Sequence, residues 1–304
     1  MVITNLRDVI KRHEGNPLIK KEWFPFDVVY VLNPGAIKHG DEYKLICRVT
    51  DRKDTSHLAL AKSHDGINFE YHSNPILSPE INNEEHGVED PRITKIKDKY
   101  YITYTTYSKS HGAAVALLES EDLLTFEKKG IIFPPDNKNA VIFPEKIDGK
   151  YFIHHRPMSG FAEKFEIWSS SSPDLIHWGN HKFVMSPKDG PLWSSERIGA
   201  GAVPIKTDKG WLSIYHGAAN RTYKLGVALF DLENPSKLIR RSENFILSPE
   251  TDYETRGWAG NVVFTCGAIL EKDNEVKIYY SGADSSVCLA TTKLEDLIEI
   301  AEKY

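Results

Sequence analysis

NPGAIKHGDEYKLICR (residues 33–48) sets an apolar strand, a short polar turn and a second strand side by side. The same pattern returns in DPRITKIKDKYYITYT (90–105), NAVIFPEKIDGKYFIHHR (139–156), RIGAGAVPIKTDKGWLSIYH (197–216) and NVVFTCGAILEKDNEVKIYYS (261–281). Each reads as a hairpin, and recurrence at roughly 50 to 65 residues marks a repeat architecture. A third strand follows every hairpin. In four units an Asp-containing turn then leads to a fourth strand, with Asp65, Asp122, Asp174 and Asp231 placed to cap that turn with a side chain. The fifth unit ends in VCLATTKLEDLIEIAEKY, whose tail reads as a short helix, so the N-terminal residues near NPLIKKEW (16–23) are expected to supply its missing strand. Long helical patterns between strands are absent, which disfavours parallel α/β folds. The expected fold is all-β: a five-bladed β-propeller of four-stranded antiparallel blades with a short C-terminal helix, a single domain over residues 1–304.

Composition narrows the function. The 38 Lys plus Arg against 43 Asp plus Glu give a formal charge of −5, which argues against a general nucleic-acid or anionic-membrane binder. The start, MVITNLRDVIKRHEG, is charged throughout and lacks an apolar core, and no apolar run reaches membrane-spanning length, so a cytoplasmic protein is expected. Cys47, Cys266 and Cys288 lack CxxC spacing and read as buried reduced thiols. No metal-ligand spacing stands out, so the expected mechanism is metal-free.

In a propeller the first strands line the central channel and ligands bind at its mouth. The first strands open with Asn33, Asp90, Asn139, Arg197 and Asn261; the second strands end at Arg48, Thr105, Arg156, His216 and Ser281. Each of the latter lies at the same offset from Tyr43, Tyr100, Tyr151, Trp211 and Val276. Strand starts lie beside partner ends in an antiparallel pair, so two polar rings should share one mouth. For Thr105, Ser281 and Asn261, capping of strand ends is an equal reading. Arg156, Arg197 and His216, with Lys138 beside Asn139, could surround one small anion. Salt bridges to Glu145, Glu196 or Asp284 are the competing reading. Asp90 is the candidate acid, because Pro91 stiffens the chain and aims it. By strand alternation Glu89 should point away and Arg92 should share the face of Asp90. Hydrolytic glycosidases need two carboxylates; one acid with a cationic cluster suits phosphorolysis, where phosphate is itself the nucleophile. Tyr104, Tyr107, Trp193, Tyr215 and Trp258 near the strand ends offer faces for a pyranose ring.

Across nearly the whole chain the motifs LNPGAI, CRVTDR, GVEDPRIT, KNAVIFPEKIDGKYFIHHRP, ERIGAGAVPI, GWLSIYHG and YYSGADSSVCLATTKLEDLI resemble glycoside hydrolase family 130, the mannoside phosphorylases and related β-mannosidases. The likeness is strongest to the branch acting on β-1,4-mannooligosaccharides. It implies inverting phosphorolysis of a β-mannoside oligosaccharide by inorganic phosphate, the co-substrate, giving α-D-mannose 1-phosphate and a shortened sugar, without a cofactor. It implies Asp90 as proton donor, directly or through a sugar hydroxyl, and Lys138, Asn139, Arg156, Arg197 and His216 as the phosphate set. The donor mannosyl unit falls to Asn33, Arg48, Asp51, Arg92 and Asp284. Lys138 stands where Arg is familiar in relatives, and Arg197 where Lys is. Residues 158–165 and 183–196 are expected to border the acceptor side, and the resemblance allows a homo-oligomer. The alternatives are a β-1,2-mannobiose or oligomannan phosphorylase, a β-mannoside hydrolase of the same fold, and a noncatalytic carbohydrate-binding propeller.

Overall fold

A computed structural model describes residues 9–72, 74–80, 82–158, 160 and 163–303. The first eight residues, part of the stretch read as cytoplasmic, lie outside the described residues. The structure is all-β, built from sheets of four antiparallel strands. After a two-residue strand β1 (Lys11–Arg12), the first unit comprises β2 (Tyr30–His39), β3 (Glu42–Thr50), β4 (Ser56–Ser63) and β5 (Glu70–Tyr71). The second holds β6 (Gly87–Ile96), β7 (Lys99–Ser108), β8 (Gly112–Ser120) and β9 (Glu127–Phe133), and the third β10 (Asn137–Ile142), β11 (Tyr151–Pro157), β12 (Ile167–Ser172) and β13 (Gly179–Met185). In the fourth, the first strand is split into β14 (Arg197–Ala200) and β15 (Ile205–Thr207), both paired with β16 (Gly210–Ala219), which continues to β17 (Thr222–Phe230) and β18 (Leu238–Arg241).

Helix α1 (Asp252–Thr255) precedes the last unit, β19 (Val263–Leu270), β20 (Glu275–Gly282) and β21 (Ser286–Lys293), and helix α2 (Leu294–Lys303) ends the chain. The N-terminus does supply the fourth strand here, but through Lys11–Arg12 on β21 rather than through 16–23, where Ile19 alone makes a bridge to Val287. One parallel pairing, Ser56 with Gly87, joins the first two units, and no sheet among the described residues closes on itself.

The cores lie between units. Ile46, Leu58 and Leu60 pack with Ile102 and Leu118; Val115 and Leu117 with Ile142 and Ile153; Phe143 and Ile167 with Trp211 and Phe230. Leu225 and Val227 pack with Ile278, Tyr280 and the α2 residues Leu297 and Ile300, and Leu45, Cys47 and Ala59 with Tyr279 and Leu289. Each unit therefore buries one face against the unit before it and the other against the unit after it. The expected turn caps are present: one carboxylate oxygen of Asp65, Asp122, Asp174 and Asp231 accepts backbone N–H bonds at 2.8–3.0 Å from residues two and three positions on. All three cysteines are buried and free.

A bulge repeated in the first strands aims the site. Register slips between Leu32 and Gly35, Glu89 and Arg92, and Lys138 and Val141, with Asn33, Asp90 and Asn139 at φ of 50°, 54° and 54°. Asn and Asp tolerate this left-handed conformation better than other side-chain-bearing residues. The residue after each bulge start is Pro34, Pro91 or Ala140; a proline has no N–H to lose from a ladder, so it fits an irregular position.

Candidate active site

At these bulges the strand ends enclose a cavity of about 390 Å³, walled by Asn33, Arg48, Glu89, Asp90, Lys138, Asn139, Arg156, His216 and Asp284, with Tyr107, Tyr223, Trp258 and Phe264 as aromatic surfaces. The left-handed turn at Asp90 brings Glu89 and Asp90 into the same cavity, against the alternation expected of a regular strand.

One half of the cavity is an ionic lattice. Asn33 donates to Asp90 Oδ1 at 2.7 Å, and Ser281 donates to Asn33 Oδ1 at 2.6 Å, fixing which amide atom faces the acid. Arg48 lies 3.5 Å from Asp90 Oδ1 and 3.0 Å from Glu89 Oε1, donates to Ser56 Oγ at 2.8 Å, and sits 5.6 Å from the Trp258 ring centre. Burial pushes the Asp90 carboxyl up, but Arg48, Lys138, Arg92 and the Asn33 bond outweigh it and hold it below its ordinary range. Asp284 goes the other way: burial, with the charges of Asp90 and Glu89, lifts its carboxyl to about 7 despite Arg48.

The other half is cationic. Asn139 donates to His216 Nε2 at 3.1 Å, and Arg156 Nη1 lies 3.4 Å from the same nitrogen. Burial, together with Arg156, Arg92, Arg197 and Lys138, drives the His216 pKa well below its ordinary value, so the ring is neutral. Arg156 is 5% exposed, its Nε has no hydrogen-bond partner, and among the described residues no carboxylate pairs with it. Burial, reinforced by Arg197 and Arg92, lowers its pKa to about 10. The space exists because residue 199 is glycine: a Cβ there would meet His216 Nε2 at 2.5 Å and Asn139 Nδ2 at 2.7 Å.

Of the sequence-expected site residues, Asn33, Arg48, Asp90, Lys138, Asn139, Arg156, His216 and Asp284 meet at this cavity. Arg197 stands beside it, 3.4 Å from the Tyr223 hydroxyl and, like Arg156, over the Phe165 ring. Arg92 is buried behind the wall, donating to the carbonyls of Gly201, Ala200 and Asp90 at 2.9 Å; it braces the second unit against the fourth. Asp51 caps its own turn through Lys53 and Thr55 N–H at 2.8 and 2.9 Å, away from the cavity. Asn261 is exposed, and only its carbonyl contributes, accepting the Tyr223 N–H at 3.0 Å. Glu145 pairs with Lys206 and Glu196 caps Asn220, so neither neutralises the cationic half. Tyr107 and Trp258 line the cavity; Tyr104, Trp193 and Tyr215 do not. Within 158–165, Phe165 reaches the cations, while residues 159, 161 and 162 lie outside the described residues.

The sequence matches the Glyco_hydro_130 family model, described as beta-1,4-mannooligosaccharide phosphorylase, over residues 8–303. The chain belongs to this family. Family 130 relatives cover most of its length. A 1,2-beta-oligomannan phosphorylase of Thermoanaerobacter sp. is 40% identical over 302 residues, covering 95% of this chain and 98% of the relative. A beta-1,4-mannooligosaccharide phosphorylase of Ruminococcus albus is 31% identical, covering 98% and 92%. The solved structure of a beta-1,2-mannobiose phosphorylase from Listeria innocua in complex with beta-1,2-mannobiose superposes with a TM-score of 0.91 at 32% identity, over 97% of this chain and 99% of that one.

Three wall residues escaped sequence reasoning. Glu89 was hidden by the bulge, for which the Asn-Pro and Asp-Pro dipeptides at matching positions were the available signal. Tyr223 sits on β17, one strand away from the compared positions, and Phe264 lies three residues beyond Asn261 on β19, paired with Ser281; no local pattern marks either.

Proposed function

We propose that this family 130 member is a glycoside phosphorylase that cleaves β-1,2-linked mannosides by inverting phosphorolysis, releasing α-D-mannose 1-phosphate and a shortened sugar. Phosphate occupies the cationic half, held by Lys138, Asn139, Arg156 and His216 with Arg197 at its edge; the donor mannosyl unit lies against Asn33, Arg48 and Asp284. A phosphate oxygen forms the new bond to the anomeric carbon from the face opposite the leaving group. The glycosidic C–O bond breaks, and the leaving oxygen takes its proton from Asp90, directly or through a sugar hydroxyl. The observation that carries this reading is Arg156: a buried guanidinium with no carboxylate partner among the described residues, beside a neutral imidazole, is suited to an anion. Arriving phosphate offsets the cations that keep Asp90 ionised, so the acid regains its proton in the complex that needs it. The β-1,2 linkage, in place of the β-1,4 linkage expected from sequence, follows the higher identity to the oligomannan relative, 40% against 31%.

The cyclic sequence of inter-unit cores, first with second through fifth with first, supports a single-domain five-bladed propeller with this cavity at the mouth of its axis. The test is mannose 1-phosphate release from β-1,2- and β-1,4-mannobiose, each with and without phosphate. Phosphate-dependent product from the β-1,2 disaccharide is expected; preference for the β-1,4 sugar overturns the linkage, and equal cleavage without phosphate overturns phosphorolysis.

A further inference from the structure

Resting on that reading, we propose that Glu89 is a positioning residue that couples the two halves of the cavity: its carboxylate holds Lys138 until phosphate binds and yields it to phosphate, then keeps both oxygens for Arg48. The geometry is direct. Glu89 Oε1 is 3.0 Å from Arg48 Nη2 and Oε2 is 3.5 Å from Lys138 Nζ, and the Glu89 side chain is only 7% exposed. One carboxylate therefore spans the cation that flanks the acid and sugar and a cation of the phosphate set.

Lys138 has no other ion-pair partner among the described residues, so Glu89 stands where a phosphate oxygen must compete. Lys138 Nζ is also the more loosely held of the two cations: its side chain is 23% exposed, against 11% for Arg48, which is further tied to Ser56 and Asp90. A flexible lysine is the partner able to swing, and a planar guanidinium is the one able to take both oxygens of a carboxylate. Phosphate binding then stiffens Arg48 beside Asp90 and Trp258, where the mannosyl unit lies, which gives phosphate and sugar a mutual coupling.

The experiment compares wild type with Glu89→Gln by initial rates over both substrates and by calorimetric phosphate binding without sugar. Removing the competing charge should tighten phosphate by about 3- to 10-fold and raise the sugar KM by about 10-fold, since each lost contact is a charge-assisted one. A residue that merely supports the fold would weaken both, so parallel loss, or no change in either, overturns the proposal. In a Lys138→Gln background the phosphate effect of Glu89→Gln should vanish; its persistence overturns the proposal as well. Glu89→Asp, too short to span both cations, should shift the two constants in the same opposed directions and serves if Glu89→Gln fails to fold. Cleavage by wild type without phosphate would be a failure of phosphorolysis itself, whereas parallel shifts in a phosphate-dependent enzyme are a failure of the Glu89 role alone.

Discussion

Replacing Arg156 by methionine should make the phosphate-free protein more stable and nearly inactive. Burial draws the guanidinium pKa down to about 10, which corresponds to roughly 3 kcal/mol against the charged form when phosphate is absent. Methionine fills much of the same volume without a charge, so unfolding by urea without phosphate should require about 1–3 kcal/mol more than for wild type. The opposite holds with phosphate: two charge-assisted bonds at about 1.5–3 kcal/mol each are lost, or about a thousandfold in kcat/KM for phosphate. Thermal unfolding gives a second reading. Wild type should gain about 2.7 kcal/mol at a phosphate concentration 100 times its Kd, and the variant almost nothing. A variant that is less stable without phosphate and keeps its phosphate dependence would refute the view of Arg156 as a buried cation prepared for an anion.

Gly199→Ala places a methyl 2.5 Å from His216 Nε2 and 2.7 Å from Asn139 Nδ2, so kcat/KM for phosphate should fall by about 10- to 100-fold while circular dichroism stays native; unaltered phosphate kinetics would move the anion elsewhere. The raised Asp284 carboxyl contributes stability that is complete below about 3.8 and lost as pH rises through about 7, so wild type should lose more stability between pH 5 and 8 than Asp284→Asn, measured in urea without phosphate; equal losses would contradict the raised value. Because Asp90 is held ionised before phosphate arrives, phosphate binding should take up protons, visible as a dependence of calorimetric heat on buffer ionisation enthalpy that Asp90→Asn reduces; no such dependence would sink the reprotonation of the acid.

The repeat was legible because each unit buries its own faces, so apolar alternation, turn aspartates and hairpin spacing all report the same local structure. Arg48, Arg156 and His216 could be placed together because their second strands run regularly from the turn, which preserves a fixed offset. The first strands lose that regularity. Arg197 and Asn261 open their segments in the sequence as Asn33 and Asp90 do, yet the register puts Gly199 opposite His216 and Phe264 opposite Ser281, two and three residues further on. The same bulge that misled the reading of Glu89 holds the Asp90 carboxylate in the cavity. Arg92 shows a second limit: the pattern places it on the face of Asp90, but only the packed structure gives it the Ala200 and Gly201 carbonyls as partners.

The most direct test follows β-1,2-mannobiose and phosphate together by ¹H and ³¹P NMR from the first turnovers. One phosphate consumed for each glycosidic bond broken, with α-D-mannose 1-phosphate as the first product, is the predicted result; free mannose appearing while phosphate stays constant would contradict it.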